Sequence, residues 1–99
     1  MKFDEKKVTE RIIRFREEAD NLKEIVERVD ELFQKMEEDR GFEYDPITTD
    51  YCIAYNKMRP DFIRVENMLR EIAECYEASM RMVKEMEIKE EDLKQRMFY

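Results

Sequence analysis

Apolar residues between Val8 and Met36 recur at alternating steps of four and three without a break. This spacing keeps the side chains in one line along an α-helix, and it is the seam pattern of a helix that lies against a neighbouring helix. Asp4 suits an N-cap before this run, and Gly41 suits a C-cap after it. We therefore predict a first helix over about residues 5–39. Its seam consists of Val8, Ile12, Phe15, Ala19, Leu22, Val26, Val29, Phe33 and Met36.

The second half of the chain repeats the pattern and predicts a second helix over about residues 46–87. Asp45 and Pro46 suit its start, because a proline in the first turn sacrifices no helical hydrogen bond. Pro60 lies inside this helix and favours a kink near that residue, or else a separate short helix over residues 46–58. The predicted seam consists of Tyr51, Tyr55, Met58, Phe62, Val65, Leu69, Ile72, Tyr76, Ser79, Val83 and Met86.

The connection over residues 40–45 is short, which requires the two helices to lie antiparallel as neighbours. Residues 88–99 are expected to form a charged tail after the second helix. The fold class is thus an all-α, antiparallel two-helix hairpin in a single domain of 99 residues. The turn is assigned to Gly41, Phe42, Tyr44, Asp45 and Pro46.

Further apolar residues lie directly beside each seam, so each helix has an apolar stripe wider than one hairpin contact requires. Burying a Leu, Ile or Met side chain stabilises a fold by about 1.5–3 kcal/mol, so an exposed stripe favours association. We therefore expect a four-helix bundle, formed as a homodimer or as a heterodimer with a related hairpin or an effector's helical domain. The predicted partner interface is Ile25, Leu32, Ile47, Ala54, Met68, Cys75 and Met82.

Composition argues against catalysis and against several classes of ligand. The chain has no His and one Gly, which removes the commonest general base and the glycine-rich loops that hold phosphates. Cys52 and Cys75 are too far apart along one helix to bridge, so both are expected to be reduced, mostly buried thiols rather than a metal or redox site. We expect no enzymatic activity, no cofactor and no metal.

The formal net charge of −7 argues against nucleic acid and against anionic membrane surfaces as partners. No apolar run approaches the roughly 18 residues that a membrane-spanning helix needs. The N-terminal residues lack the apolar segment of a cleavable signal peptide. The sequence therefore predicts a protein made in the cytoplasm.

The layout resembles the WXG-motif family of type VII (ESX) secretion, whose small helical hairpins form four-helix dimers. Tyr44-Asp45-Pro46 occupies the place of the family's Trp-x-Gly turn, and the absence of Trp suggests a divergent or accessory member. Met86, Glu90, Leu93 and Met97 fit the family's C-terminal export pattern. The resemblance implies a substrate, chaperone or targeting partner of a type VII apparatus, with export by that route.

A different use of the same stripe stays open at this point. A cytoplasmic regulatory or adaptor coiled coil, such as an antitoxin, an anti-sigma-like protein or a phage accessory protein, needs no export pattern. The genes beside this one would separate the two hypotheses, since a secretion ATPase or a long effector with a helical N-terminal domain favours the first.

Overall fold

The structure is a computed structural model that describes residues 4–39 and 46–98. Within these ranges the chain consists of two α-helices and no strand, α1 over Glu5–Glu38 and α2 over Pro46–Phe98. The predicted first helix is confirmed to within one residue. Asp4 is its N-cap, because its carboxylate accepts a hydrogen bond of 3.1 Å from the backbone N–H of Lys7. The predicted turn residues Gly41, Phe42, Tyr44 and Asp45 lie outside the described residues.

Helix α2 begins at Pro46 as predicted, but it extends further than expected. It passes Pro60 without a break, which decides against a separate helix over residues 46–58. It also continues through the segment predicted as a tail and reaches Phe98. This segment retains apolar residues at helical spacing, and its many Glu and Lys residues are good helix formers, so nothing in it ends the helix.

The two helices pack antiparallel into a rod of 83 × 19 × 17 Å. Ion pairs fix their register: Lys84 pairs with Glu5 at one end, Arg70 with Asp20 in the middle, and Arg59 with Asp30 towards the turn. Counting from these pairs, Ile25 is level with Val65, and Leu32 is level with Met58. The hairpin predicted from the sequence is confirmed.

All nine predicted seam residues of α1 are buried or partly buried. Ile12, Ala19 and Val26 form the centre of the contact together with Ala73 of α2. Ala19 and Ala73 have no exposed area, and their small side chains allow the two backbones to approach closely. The core is therefore a narrow line of contact between two rods.

The predicted seam of α2 is wrong at five of its eleven positions. Tyr55, Phe62, Leu69, Tyr76 and Val83 are partly buried against α1, and Ile72 is partly buried as well. The other five, Tyr51, Met58, Val65, Ser79 and Met86, are exposed. The positions that complete the seam are one residue further along the chain. We call this observed set the inner seam: Cys52, Tyr55, Arg59, Phe62, Glu66, Leu69, Ala73, Tyr76, Met80 and Val83.

The physical reason is that α1 contacts one edge of the apolar stripe on α2 rather than its centre. Two charged residues in the inner seam, Arg59 and Glu66, each have an oppositely charged partner, so their placement leaves no charge unpaired. Ala73 offers the close approach that Ile72 would prevent. The register with the most apolar residues is thus not the register that packs against α1.

Candidate protein-interaction surface

The two long sides of the hairpin differ in chemistry. Relative to the seam, the residues one position after Phe15, Val29 and Tyr76 lie on one side of the hairpin. The residues one position before Val26, Phe33, Arg59 and Glu66 lie on the other side. The first side carries Arg16, Asp30, Arg70, Glu77 and Lys84. The second carries Ile25, Leu32, Met58 and Val65 towards the turn, and Arg11 and Glu18 nearer the start of α1. We call them the ion-paired side and the open face.

A polar triad at Tyr55, Asp30 and Arg59 anchors the ion-paired side. The Arg59 guanidinium donates two hydrogen bonds to the Asp30 carboxylate, from Nε to Oδ1 over 3.0 Å and from Nη2 to Oδ2 over 2.8 Å. The Tyr55 hydroxyl donates to Asp30 Oδ1 over 2.9 Å and lies 3.3 Å from the backbone oxygen of Val26. A bidentate pair of this kind fixes the helix register by geometry as well as charge.

The triad shifts the acid–base behaviour of its members. Hydrogen bonds from Arg59 and then from Tyr55 hold the pKa of the Asp30 carboxyl below its ordinary value, against an opposing effect of partial burial. Partial burial and the neighbouring Asp30 charge raise the pKa of the Tyr55 hydroxyl. Both shifts favour the charged carboxylate and the protonated phenol that the hydrogen bonds require.

Three further ion pairs link α1 to α2. Arg16 pairs with Glu77, and Lys84 Nζ lies 2.6 Å from a Glu5 carboxylate oxygen. Arg70 donates to Asp20 over 2.9 Å and to Glu66 over 3.0 Å, which satisfies the acid in the inner seam. Rings add to the contact, since Phe15 stacks on Tyr76 with centroids 5.9 Å apart and Phe33 lies 5.4 Å from Tyr55. This side is closed by interactions within the chain.

The open face has apolar residues at the same helical spacing but no such closure in the described part of the chain. Leu32 and Met58 are level with each other and are 57% and 52% exposed. On α2 the exposed residues recur at steps of three, four or seven, with Asp61, Ile72 and Ser79 at the intervening positions, so the face is a second heptad seam beside the inner seam. We define the open face as Ile25 and Leu32 of α1 with Tyr51, Ala54, Met58, Val65, Met68, Cys75, Met82 and Met86 of α2.

The predicted interface residues fall on this surface. Ile25, Leu32, Ala54, Met68, Cys75 and Met82 belong to the open face, and Ile47 is exposed one turn before Tyr51. The sequence also assigned Tyr51, Met58, Val65 and Met86 to the hairpin contact, whereas they widen the open face. Its middle carries a shallow depression lined in part by Met68, Ile72, Cys75 and Ser79. The face is therefore larger than the sequence predicted.

The C-terminal part of α2 projects beyond α1. Since Glu5 opens α1 and pairs with Lys84, residues 86–98 extend roughly 20 Å further at 1.5 Å per residue. We call this segment the projecting end. Three of the four residues of the export pattern are exposed apolar side chains here, Met86, Leu93 and Met97, and Glu90 is exposed between them. All four lie on one stripe of a continuous helix.

Sequence reasoning missed the polar triad and the charged members of the inner seam. One signal was available: Arg59 and Glu66 are separated by seven residues, and each has an opposite charge within reach. Asp30 is within reach of Arg59 once the helices are antiparallel, and Arg70 follows Glu66 by four residues on the same helix. Cys75 was expected to be mostly buried but is exposed, while Cys52 is partly buried, and both are free thiols. Cys75 is exposed because the inner seam of α2 lies one residue further along the chain than the predicted seam, which leaves Cys75 outside the contact with α1.

Other kinds of site are not evident in residues 4–39 and 46–98. These residues contain no cluster of three or more His, Cys, Asp or Glu side chains that could hold a metal ion. Neither α1 nor the described α2 has a segment apolar enough to cross a bilayer.

Comparisons with known proteins add no relative: no family model, no curated protein and no solved structure matches the chain. The geometry of the open face and of the projecting end therefore carries the functional argument.

Proposed function

We propose that this chain is a protein–protein interaction module whose open face binds another helical protein. The observation that carries this proposal is the exposure of Leu32 and Met58 side by side on the two helices, with Ile25 and Val65 in the next layer. Each such side chain stabilises an interface by about 1.5–3 kcal/mol when it is buried. An apolar surface continuous over several helical turns marks an interaction site rather than ordinary surface.

The spacing of the open face supports a helical partner. Side chains at alternating steps of four and three fit into the gaps on a partner helix with the same repeat. A hairpin with one such face is half of a four-helix bundle, in which the partner supplies the other two helices. A related hairpin or the helical domain of an effector would meet this requirement.

A more specific form of the proposal is a WXG-like substrate, chaperone or targeting partner in type VII secretion. Support comes from the projecting end, where Met86, Glu90, Leu93 and Met97 form one exposed stripe that extends past α1. A receptor helix could bind this stripe without separating the hairpin. Replacing Leu93 and Met97 by Ser is expected to abolish export in the producing cell, and unchanged export would contradict this form of the proposal.

The general proposal is tested by co-expressing the full chain with the products of its neighbouring genes and measuring the native mass of the purified complexes. We expect a complex of the wild-type chain that the variant Leu32→Glu/Met58→Glu cannot form, since two carboxylates would be buried in the interface. The control Gln34→Glu/Asn67→Glu adds the same charge at exposed positions away from the open face and should retain the complex.

Two outcomes would overturn the proposal. One is a wild-type chain that stays monomeric alone and beside every neighbour. The other is a complex that persists in Leu32→Glu/Met58→Glu with its stoichiometry unchanged.

A further inference from the structure

Charge is distributed unevenly along the open face and its continuation on the projecting end. Near the turn, the floor formed by Ile25, Leu32, Met58 and Val65 is bordered by bases on both helices. Arg28 and Lys35 each follow a floor residue of α1 by three positions and are exposed. Lys57 and Arg64 border the face on α2 and are also exposed, and the one acid between Met58 and Val65, Asp61, pairs with Arg64. We call this region the basic groove.

The opposite charge lies at the other end of the molecule. Residues 85–92 contain five acids, Glu85, Glu87, Glu90, Glu91 and Asp92, against the single base Lys89. Glu85 and Asp92 lie seven residues apart on one edge of the stripe Met82, Met86 and Leu93, and Glu87 and Glu90 lie on its other edge. Over residues 85–92 the projecting end is thus an apolar stripe with acids along both borders, interrupted by Lys89 seven residues after Met82, and the bases Lys94 and Arg96 follow towards its end.

We propose that the basic groove of one copy binds the projecting end of a second copy, and that the reciprocal contact forms at the same time. This rests on the proposed function and names the partner as a second chain of the same sequence. The projecting end would supply apolar residues to the floor, and its two acidic borders would face the two basic borders of the groove.

The chain cannot make this contact with itself. Met58 in the groove and Met86 at the start of the projecting end are separated by about 40 Å of continuous helix at 1.5 Å per residue. A second copy placed antiparallel on the open face brings each projecting end over the other copy's groove, so one twofold axis generates both contacts. A parallel arrangement would instead place the two acidic ends side by side, where like charges repel.

The charged residues along the borders also favour one lengthwise alignment of α2 against α2 of the second copy. When Arg64 faces Glu85 of the second copy, Lys57 faces Asp92, and the twofold axis passes between Glu74 and Cys75. Each pair occurs twice, and none of the bordering positions between them sets like charges against each other. Arg64 and Arg28 now pair with Asp61 and Glu24 of their own helices, but these pairs are highly exposed and are easily exchanged.

This alignment brings the two copies of Cys75 within one helical turn of the axis on the contacting faces. A shift of the alignment by one heptad would move the two thiols apart by about 10 Å along the rod, since seven residues at 1.5 Å each span that length. Cys75 is an exposed free thiol, so it reports on the alignment directly.

The experiment is a charge swap in the full chain, followed by sedimentation in reducing buffer. Lys57→Glu/Arg64→Glu should raise the dissociation constant of the dimer by about tenfold or more, because four opposite-charge pairs become like-charge pairs. Adding Glu85→Lys/Asp92→Lys to the same chain should restore the wild-type dissociation constant. The control Lys6→Glu/Lys23→Glu changes the net charge equally at exposed positions of α1 away from the groove and should have little effect.

A cross-link tests the alignment. With Cys52→Ala, a short bismaleimide should join two chains through Cys75 at concentrations where sedimentation shows the dimer. With Cys75→Ala, the remaining Cys52 lies in the inner seam and should give little covalent dimer. Restored binding in the swapped chain together with the Cys75 cross-link supports the inference.

The inference is overturned if the wild-type chain is monomeric at all concentrations, if the swap does not restore binding, or if Cys75 does not cross-link. The proposed function would survive the first of these outcomes if a neighbouring gene product formed a complex that Leu32→Glu/Met58→Glu abolishes. The stripe that a secretion receptor would bind is the same stripe that this dimer buries, so a receptor would have to open the dimer first.

Discussion

The ion-paired side and the open face belong to the same two helices and have the same heptad spacing, yet one is rich in charged pairs between the helices and the other is apolar and exposed. On the ion-paired side, Arg59 and Arg70 of α2 hold acids of α1, and Tyr55 adds hydrogen bonds at one level. On the open face, Leu32 and Met58 lie at the same level with no charge between them and remain more than half exposed. The contact between α1 and α2 is thus made by charge pairing and small residues, while the wider apolar area stays exposed in the single chain.

The largest expected difference in the free energy of unfolding is between the contact of the two helices and the open face, when an isoleucine in each is replaced by alanine. Ile12→Ala removes a side chain that is 4% exposed and should destabilise the hairpin by about 2–5 kcal/mol. Ile25→Ala removes a side chain that is 57% exposed and should change the stability of the dilute chain by at most about 0.5 kcal/mol. Urea unfolding followed by circular dichroism at low concentration measures both values. Equal losses would mean that Ile25 is packed as closely as Ile12, which would contradict the exposure of the open face.

A small residue made large should sharpen the contrast on α2. Ala73→Leu places extra atoms where the helices touch and should cost about 1–3 kcal/mol through overpacking. Ala54→Leu adds the same atoms on the open face and should leave the dilute chain unchanged within about 0.5 kcal/mol. Thermal unfolding of the two variants in parallel gives the comparison. A stable Ala73→Leu hairpin would contradict the close approach of the helices at Ala19 and Ala73.

The limits of sequence reasoning follow from these same residues. On α1 the apolar positions allow one seam, so the helix, its N-cap at Asp4 and its inner face were predictable. On α2 the apolar stripe is wide enough for two seams, and counting apolar residues selected Met58 and Val65 over Arg59 and Glu66. Which edge of the stripe meets α1 depends on Asp30 and Asp20 of the other helix. That information lies in the pairing of helices and not in the pattern of either one.

A tyrosine comparison should give a smaller effect. Tyr55→Phe removes the hydroxyl that donates to Asp30 and should cost about 1 kcal/mol. Tyr51→Phe removes a hydroxyl from a residue that is 69% exposed and should have no measurable effect on the dilute chain. The measurement is the free energy of unfolding of each variant at neutral pH. A loss in Tyr51→Phe equal to that in Tyr55→Phe would contradict the role of the triad.

The smallest expected effect is a change in pH dependence. The pKa of Asp30 lies below its ordinary value of 3.8 in the folded chain, chiefly because Arg59 donates to the carboxylate. The stabilisation is therefore present above about pH 4 and is lost as the pH falls through the lowered pKa. Asp30→Asn should destabilise the chain at pH 6 and lose less stability than the wild type on acidification. An identical pH profile for both chains would show that Asp30 is not the responsible group.

Methionine oxidation, read residue by residue with mass spectrometry, tests the central claim most directly. Met58, Met68 and Met82 lie on the open face, whereas Met36 and Met80 are partly buried between the helices. At high chain concentration, or with a bound partner, the three open-face residues should oxidise as slowly as Met36 and Met80, and on dilution they should become fast. If they oxidise rapidly at every concentration and beside every candidate partner, the open face binds no other chain and the proposed function is wrong.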